Sequence, residues 1–113
     1  MEIKNAIIES ATLDIGDRGF LQSWIFCDYG GVVQGFGGYV LYLPKSFHHH
    51  EIMSHAGHWI QRCMEISGVS EWSKMKGRSI RCHIENGLIK GIGHIIKDDW
   101  FFPSIDFKKS TDE

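Results

Sequence analysis

No apolar run in this sequence approaches the ~18 residues that a membrane-spanning helix requires. Cysteine is sparse: Cys27, Cys63 and Cys82 are odd in number and widely spaced, and no Cys-x-x-Cys pair occurs. A disulfide framework is therefore not expected, and a reducing cytosol fits best. Charge of one sign is missing as well. The formal net charge is −2, so nothing global points to nucleic acid. Met1-Glu2-Ile3-Lys4-Asn5 lacks the pattern of a signal peptide. Catalytic signatures are absent too. No Gly-x-Ser-x-Gly elbow exists, and no pair of carboxylates stands isolated in an apolar setting, since Asp98-Asp99 is adjacent and reads as exposed. We expect no enzyme, no cofactor and no bound metal.

Aromatics and glycines are present in quantity. Four Trp, seven Phe and three Tyr in 113 residues exceed what one small core easily encloses, so some should face a ligand or a partner chain. The length sets one domain, read as residues 1–106, with a frayed tail at 107–113. The glycines concentrate in Gln34-Gly35-Phe36-Gly37-Gly38-Tyr39, inside an apolar run. Glycine weakens a strand, and the usual reasons for keeping it are a bulge, a bend or the close approach of another group. Lys90-Gly91-Ile92-Gly93-His94-Ile95-Ile96 repeats the pattern. Two notched strands suggest a bare surface shared on one sheet. The bland alternative is that the glycines make room for crossing Trp or Phe side chains.

Strands are expected over 2–11, 20–29 and 32–43, with Gly30-Gly31 as a hairpin turn and Pro44 as a stop. A helix is expected from Ser46 to about Ser67, ended by Gly68. At about 100° per residue, Ile52, Met53, Ala56, Trp59, Ile60, Cys63 and Met64 share its apolar face. His48, Glu51, His55, His58, Arg62 and Glu65 share the other, read as a solvated or interface-lining face. Residues 70–74 suggest a short extra turn. Ser79–Glu85 alternates cleanly, Asn86-Gly87 signals a type I′ hairpin, and 88–97 returns as the last strand. The fold class is α+β: an antiparallel sheet of about five strands, βββ-α-ββ, with one main helix on one face.

His48-His49-His50-Glu51 invites a zinc reading, but His-Glu-x-x-His spacing is not met. The next histidine, His55, is one residue too far and turned about 140° away. His55 and His58 could share a metal only with a third ligand from elsewhere. The glycine strand is no dinucleotide loop, because no helix opens from it. The one concentration of positive charge is Lys74-x-Lys76-Gly77-Arg78-x-x-Arg81. Its ordinary reading is a solvated edge. If Arg78, Arg81, Arg62, His94 and Lys97 converge, they form an anion site suited to a small phosphorylated ligand rather than a long nucleic acid.

Asp28-Tyr29-Gly30-Gly31, the Gln34–Tyr39 segment, Arg62-Cys63-Met64-Glu65-Ile66-Ser67-Gly68-Val69-Ser70-Glu71-Trp72 and the stretch from Gly91 to Phe101 together resemble a widespread family of small phage proteins. The chain is similar, over roughly residues 3–103, to its branch known as the phage Thoeris anti-defence sponge family, type 1. The resemblance implies a non-enzymatic protein of the host cytoplasm. It would sequester cyclic ADP-ribose isomers, and in some members cyclic oligonucleotides, at interfaces of a homo-oligomer (dimer or hexamer). It also implies that a helix arginine and residues near the last strand contact ligand, and Arg62 matches the first. His94 stands where related chains can carry Asn, which bears on the choice of ligand. In such a site Arg62 and Arg78 would clamp phosphate, Phe36 or Trp100 would stack the base, and Gln34 or His94 would bond hydroxyls, with Lys97 nearby. The rival reading is a phage protein that inhibits a host protein by direct contact, or a structural oligomer. The aromatic tail Trp100-Phe101-Phe102, read as exposed although so aromatic a loop should dock somewhere, favours it.

Overall fold

A computed structural model describes residues 2–17, 19–43 and 53–111. Strands β1 (Glu2–Ile15), β2 (Leu21–Tyr29) and β3 (Val32–Gly37) come first. A two-residue pair follows, β4 (Tyr42–Leu43) and β5 (Met53–Ser54), then helix α1 (Ala56–Ser67). Strands β6 (Ser79–Glu85), β7 (Leu88–His94) and β8 (Trp100–Phe101) complete the sheet, and helix α2 (Pro103–Thr111) ends the described chain. The main sheet has six strands in the order β3-β2-β1-β6-β7-β8. Every pairing is antiparallel. The class is α+β, as expected, with β8 as the additional strand.

Turn chemistry places the hairpins. Gly30 and Gly31 (φ 71° and 87°) and Asn86 and Gly87 (φ 52° and 76°) each take two successive positive φ angles, as a type I′ turn demands. Helix α1 ends in a Schellman motif. Gly68 is left-handed (φ 72°, ψ 34°), its N–H bonds Glu65 O, and Val69 N–H bonds Met64 O. Ser46, His48 and Glu51 lie outside the described residues. The expected helix nevertheless begins later than the pattern suggested. Tyr42 pairs with Ser54 and Leu43 with Met53, and His55 N–H bonds Leu41 O at 2.7 Å. Those bonds hold 53–54 as strand, so Met53 is not part of the helix face.

The sheet curls. Edge strand β3 comes back against β7 across three intervening strands, and Gln34 Nε2 donates to Gly87 O. The inner face carries Ile8, Ile25, Cys27, Ile80, Cys82 and Ile92, all at 1% exposure or less, under Trp59, Cys63 and Ile66 of α1. A register shift between Ile8 and Ser10 reverses the parity of β1, so Ile8 and Ala11 both face inward. Residues 107–111 are helical where the sequence suggested a frayed tail. Pro103 opens α2, the helix position where its missing N–H costs nothing. Phe107 is buried against Tyr39 and Phe101.

The histidine face is solvated only in part where it is described: His58 and Glu65 are exposed, His55 is not. His55 is 8% exposed and its ring stacks on Phe107 at 4.3 Å. Burial, with some help from nearby His58, lowers its pKa from the usual range. His58 Nε2 lies 2.9 Å from Asp106 Oδ2. This face of α1 docks α2.

Candidate functional site

The glycine notches are filled by the chain's own aromatics. A Cβ on Gly35 or Gly38 would come within 2.8 Å of the Trp24 ring. On Gly93 it would reach the Trp100 ring at 2.7 Å, and on Gly91 the Phe102 ring at 2.5 Å. The register puts Trp24, Phe26, Arg81, His83 and Trp100 on the outer face of one sheet. The two notched strands do share a face, but intramolecular rings cover the bare backbone. The aromatic tail is correspondingly not exposed. Phe101 is fully buried, and Trp100 and Phe102 are half-buried and stacked at 6.0 Å.

Two expected ligand residues sit apart from the rest. Phe36 pairs with Ile25 on the inner face, is 0% exposed and stacks on Trp59 at 5.1 Å. It belongs to the core and cannot stack a base. Gln34 is tied to the β3–β7 seam, accepting from Tyr29 Oη through Oε1 and donating to Gly87 O.

The other five are spread over α1, the residue before β6 and the chain from the end of β7 into β8, and only part of the set comes together. Arg62 Nη2 donates to Asp99 Oδ1 (2.7 Å) and to Trp100 O (3.0 Å), and Nη1 donates to Glu65 Oε1 (2.6 Å). Its guanidinium also lies 5.9 Å from the Phe101 ring centre. The Arg62 hydrogen bond holds Asp99 below the usual carboxylate range. Asp99 and Glu65 in turn raise Arg62, although burial opposes them. The arginine expected to clamp phosphate is thus already committed, and Asp99, read from sequence as an exposed acid, is its partner. The spacing of 37 residues leaves no local signal for that pair.

Because Asp99 titrates below an unfolded aspartate, the pair contributes stability that is fully present above about pH 3.9. That contribution is lost as pH falls through the depressed folded value. An Asp99→Asn chain should therefore show a shallower decline of Tm on acidification below about pH 4 than its parent. Parallel acid limbs for the two chains would remove this pair from the pH response.

Arg78 is placed by backbone bonds: Ile8 N–H to Arg78 O (2.9 Å), Gly77 N–H to Ile8 O (2.8 Å) and Arg78 N–H to Met75 O (3.0 Å). Its Nε donates to Ser67 O at 3.0 Å, satisfying a carbonyl left over at the end of α1. Among the described residues this is the only hydrogen bond of the Arg78 side chain. The Nη2 end stands beside Gly68, where an added Cβ would lie 3.2 Å from it and 3.8 Å from His94 Nε2. Lys97 is exposed on the turn after His94. Arg81 donates to His94 O (2.7 Å) and Lys97 O (2.8 Å) and lies 4.8 Å from the Trp100 ring centre. The structure therefore sets Arg78 Nη2 and His94 Nε2 beside Gly68, with Lys97 exposed on the following turn, holds Arg62 in ion pairs, and turns the Trp100 ring onto the outer sheet face.

The three cysteines are buried and free. Burial pushes the Cys63 thiol up, and Cys27 is pushed up by its hydrogen bond with Cys82 and by burial. Such thiols are poor nucleophiles. Among the described residues, no group of three or more His, Cys, Asp or Glu side chains is placed to hold a metal. No described helix is long and apolar enough to cross a membrane. Open depressions of about 410 Å³ beside Phe20 and Tyr39 and about 460 Å³ beside Ile7 and Ser79 are the larger concavities described. No protein-family model, curated protein or solved structure matches the chain.

Proposed function

We propose that this chain is a phage-encoded anti-defence protein that acts in the host cytoplasm. It binds a cyclic nucleotide-type immune signal, a cyclic ADP-ribose isomer or a cyclic oligonucleotide, and holds it without turnover. The observation that carries this reading is the corner around Gly68, where Arg78 Nη2 and His94 Nε2 converge with Lys97 close by in sequence. Arg78 spends Nε on the carbonyl end of α1 and presents its terminal nitrogens outward. Paired N–H donors of this kind match a phosphate oxygen edge. The helix end carries partial negative charge, so the anion is bound on the outer side of Arg78. The resemblance to sponge proteins supports the choice of a cyclic nucleotide among phosphorylated ligands.

Assembly into a dimer or hexamer belongs to the same proposal. Ile3 and Ile7 (53% exposed each) and Val33 (45%) lie beside the Trp24–Phe26 stack on the outer sheet face. That apolar face also favours the second reading, direct inhibition of a host protein or a structural oligomer. A host protein captured in stoichiometric amount by ligand-free material would favour the second reading over the first.

Calorimetry with cyclic ADP-ribose isomers and cyclic oligonucleotides tests the proposal. Ligand at about 100 times its Kd should add about 2.7 kcal/mol of stability, and denaturing the complex should return the ligand chemically intact. Arg78→Ala should weaken binding about 10- to 100-fold, the loss of a charge-assisted contact, with little change in the urea midpoint. If none of these ligands binds, the proposal fails. Unchanged affinity in Arg78→Ala would move the site elsewhere.

A further inference from the structure

The link between β7 and β8 turns without glycine or proline. In Ile95-Ile96-Lys97-Asp98 only Asp98 is of a type that ordinarily supplies turn geometry. Side chains from His94 and β6 add the rest. His94 Nδ1 lies 3.1 Å from both Ile96 N and Lys97 N. Arg81 holds the carbonyls of His94 and Lys97 from β6, and His94 N–H closes the turn on Asp99 O at 2.9 Å. Two backbone donors and two backbone acceptors of one turn are thereby satisfied by two side chains.

A ring nitrogen that receives two N–H groups must offer a lone pair and cannot carry a proton. We infer that the fold holds His94 as the Nε2–H tautomer, with Arg81 as the positioning residue, so that its outward nitrogen is a fixed hydrogen-bond donor. That donor and Arg78 Nη2, another donor, both lie within 4 Å of the Cβ position of Gly68. The pair recognises a group that only accepts, such as a phosphoryl oxygen, and rejects an amine or amide N–H in the same place. The ligand half of this inference rests on the proposed function. The tautomer and turn do not.

The test separates the two halves. Long-range proton–nitrogen correlation spectra of the ligand-free protein should show His94 protonated at Nε2. Hydrogen exchange at Ile96 and Lys97 should quicken roughly tenfold in His94→Gln, whose side chain cannot cap the turn. It should stay slow in His94→Asn, whose Oδ1 accepts from the position of Nδ1. Arg81→Lys should also quicken exchange and weaken binding of cyclic ADP-ribose, without any contact between Arg81 and that probe. His94→Asn should bind the probe about tenfold more weakly, having kept the turn and lost the donor. An Nδ1–H tautomer, or exchange at Ile96 and Lys97 that is the same in every variant, overturns the inference. If the parent protein binds no such ligand while the tautomer and exchange results hold, the proposed function fails and the positioning role of Arg81 and His94 stands. Full affinity in His94→Asn overturns the donor role alone.

Discussion

A Gly37→Ala chain should lose about 2–6 kcal/mol of stability, the sum of a backbone forced into a region reserved for glycine and an overpacked contact. Gly37 has φ 146°, and an added Cβ would sit 2.3 Å from Ser23 O. That oxygen cannot retreat easily. It belongs to β2 and accepts the Gly38 N–H at 3.3 Å. Gly30 provides the control. It too has a positive φ, 71°, but nothing lies within 4 Å of its Cβ position. Gly30→Ala should cost only about 1–2 kcal/mol, the left-handed penalty by itself. Urea midpoints for the two variants should differ clearly, and Gly37→Ala should approach the limit of a domain whose whole stability is about 5–15 kcal/mol. Equal midpoints would show that the β2–β3 backbone can shift to accept the methyl group.

Trp59 should show the second large effect. It is 0% exposed, stacks on Phe36, and has the ring centres of Tyr39 and Phe101 both at 5.8 Å. Trp59→Ala should cost about 3–5 kcal/mol in urea unfolding. Trp59→Phe should stay within about 1.5 kcal/mol of the parent. The reason is the indole Nε1, a buried donor with no hydrogen-bond partner among the described residues. An unsatisfied buried donor costs about 1–3 kcal/mol, and phenylalanine removes that penalty while keeping most of the ring packing. If both substitutions proved equally damaging, the indole nitrogen would have to be satisfied after all.

Trp59 was legible in the sequence as a core residue of an amphipathic helix, and Phe36 was not legible as its neighbour. Both facts follow from the range of the signals involved. A helix period is visible within a dozen residues. The face on which Phe36 lies depends on its pairing with Ile25 and on which side of a curled sheet the helix lands. That the aromatic tail docks was legible, and where it docks was not, for a similar reason. Trp100 and Phe102 look exposed as a string of letters, but Gly93 and Gly91 on the neighbouring strand leave the space they fill. The glycine pattern itself was plain, and the option of room for crossing rings was the correct one.

The candidate site divides along the same line. Arg78, Arg81, His94 and Lys97 could be grouped from sequence as possible partners. Their division of labour could not, because it depends on hydrogen bonds between distant segments. Arg62 is neutralised by Asp99, 37 residues away, Arg81 serves the turn, and Arg78 keeps its terminal nitrogens.

The sequence by itself determined the α+β class, the hairpin turns at Gly30-Gly31 and Asn86-Gly87, the stop of α1 at Gly68 and the alternation of β6. These are properties of local φ preference and of side-chain period. Only the tertiary structure decided that 53–54 extend as strand, that α2 docks through Phe107, that Phe36 points inward and that one arginine is consumed while another stands open. Each of those outcomes is settled by packing and charge between segments far apart in the chain, where local periodicity carries no information.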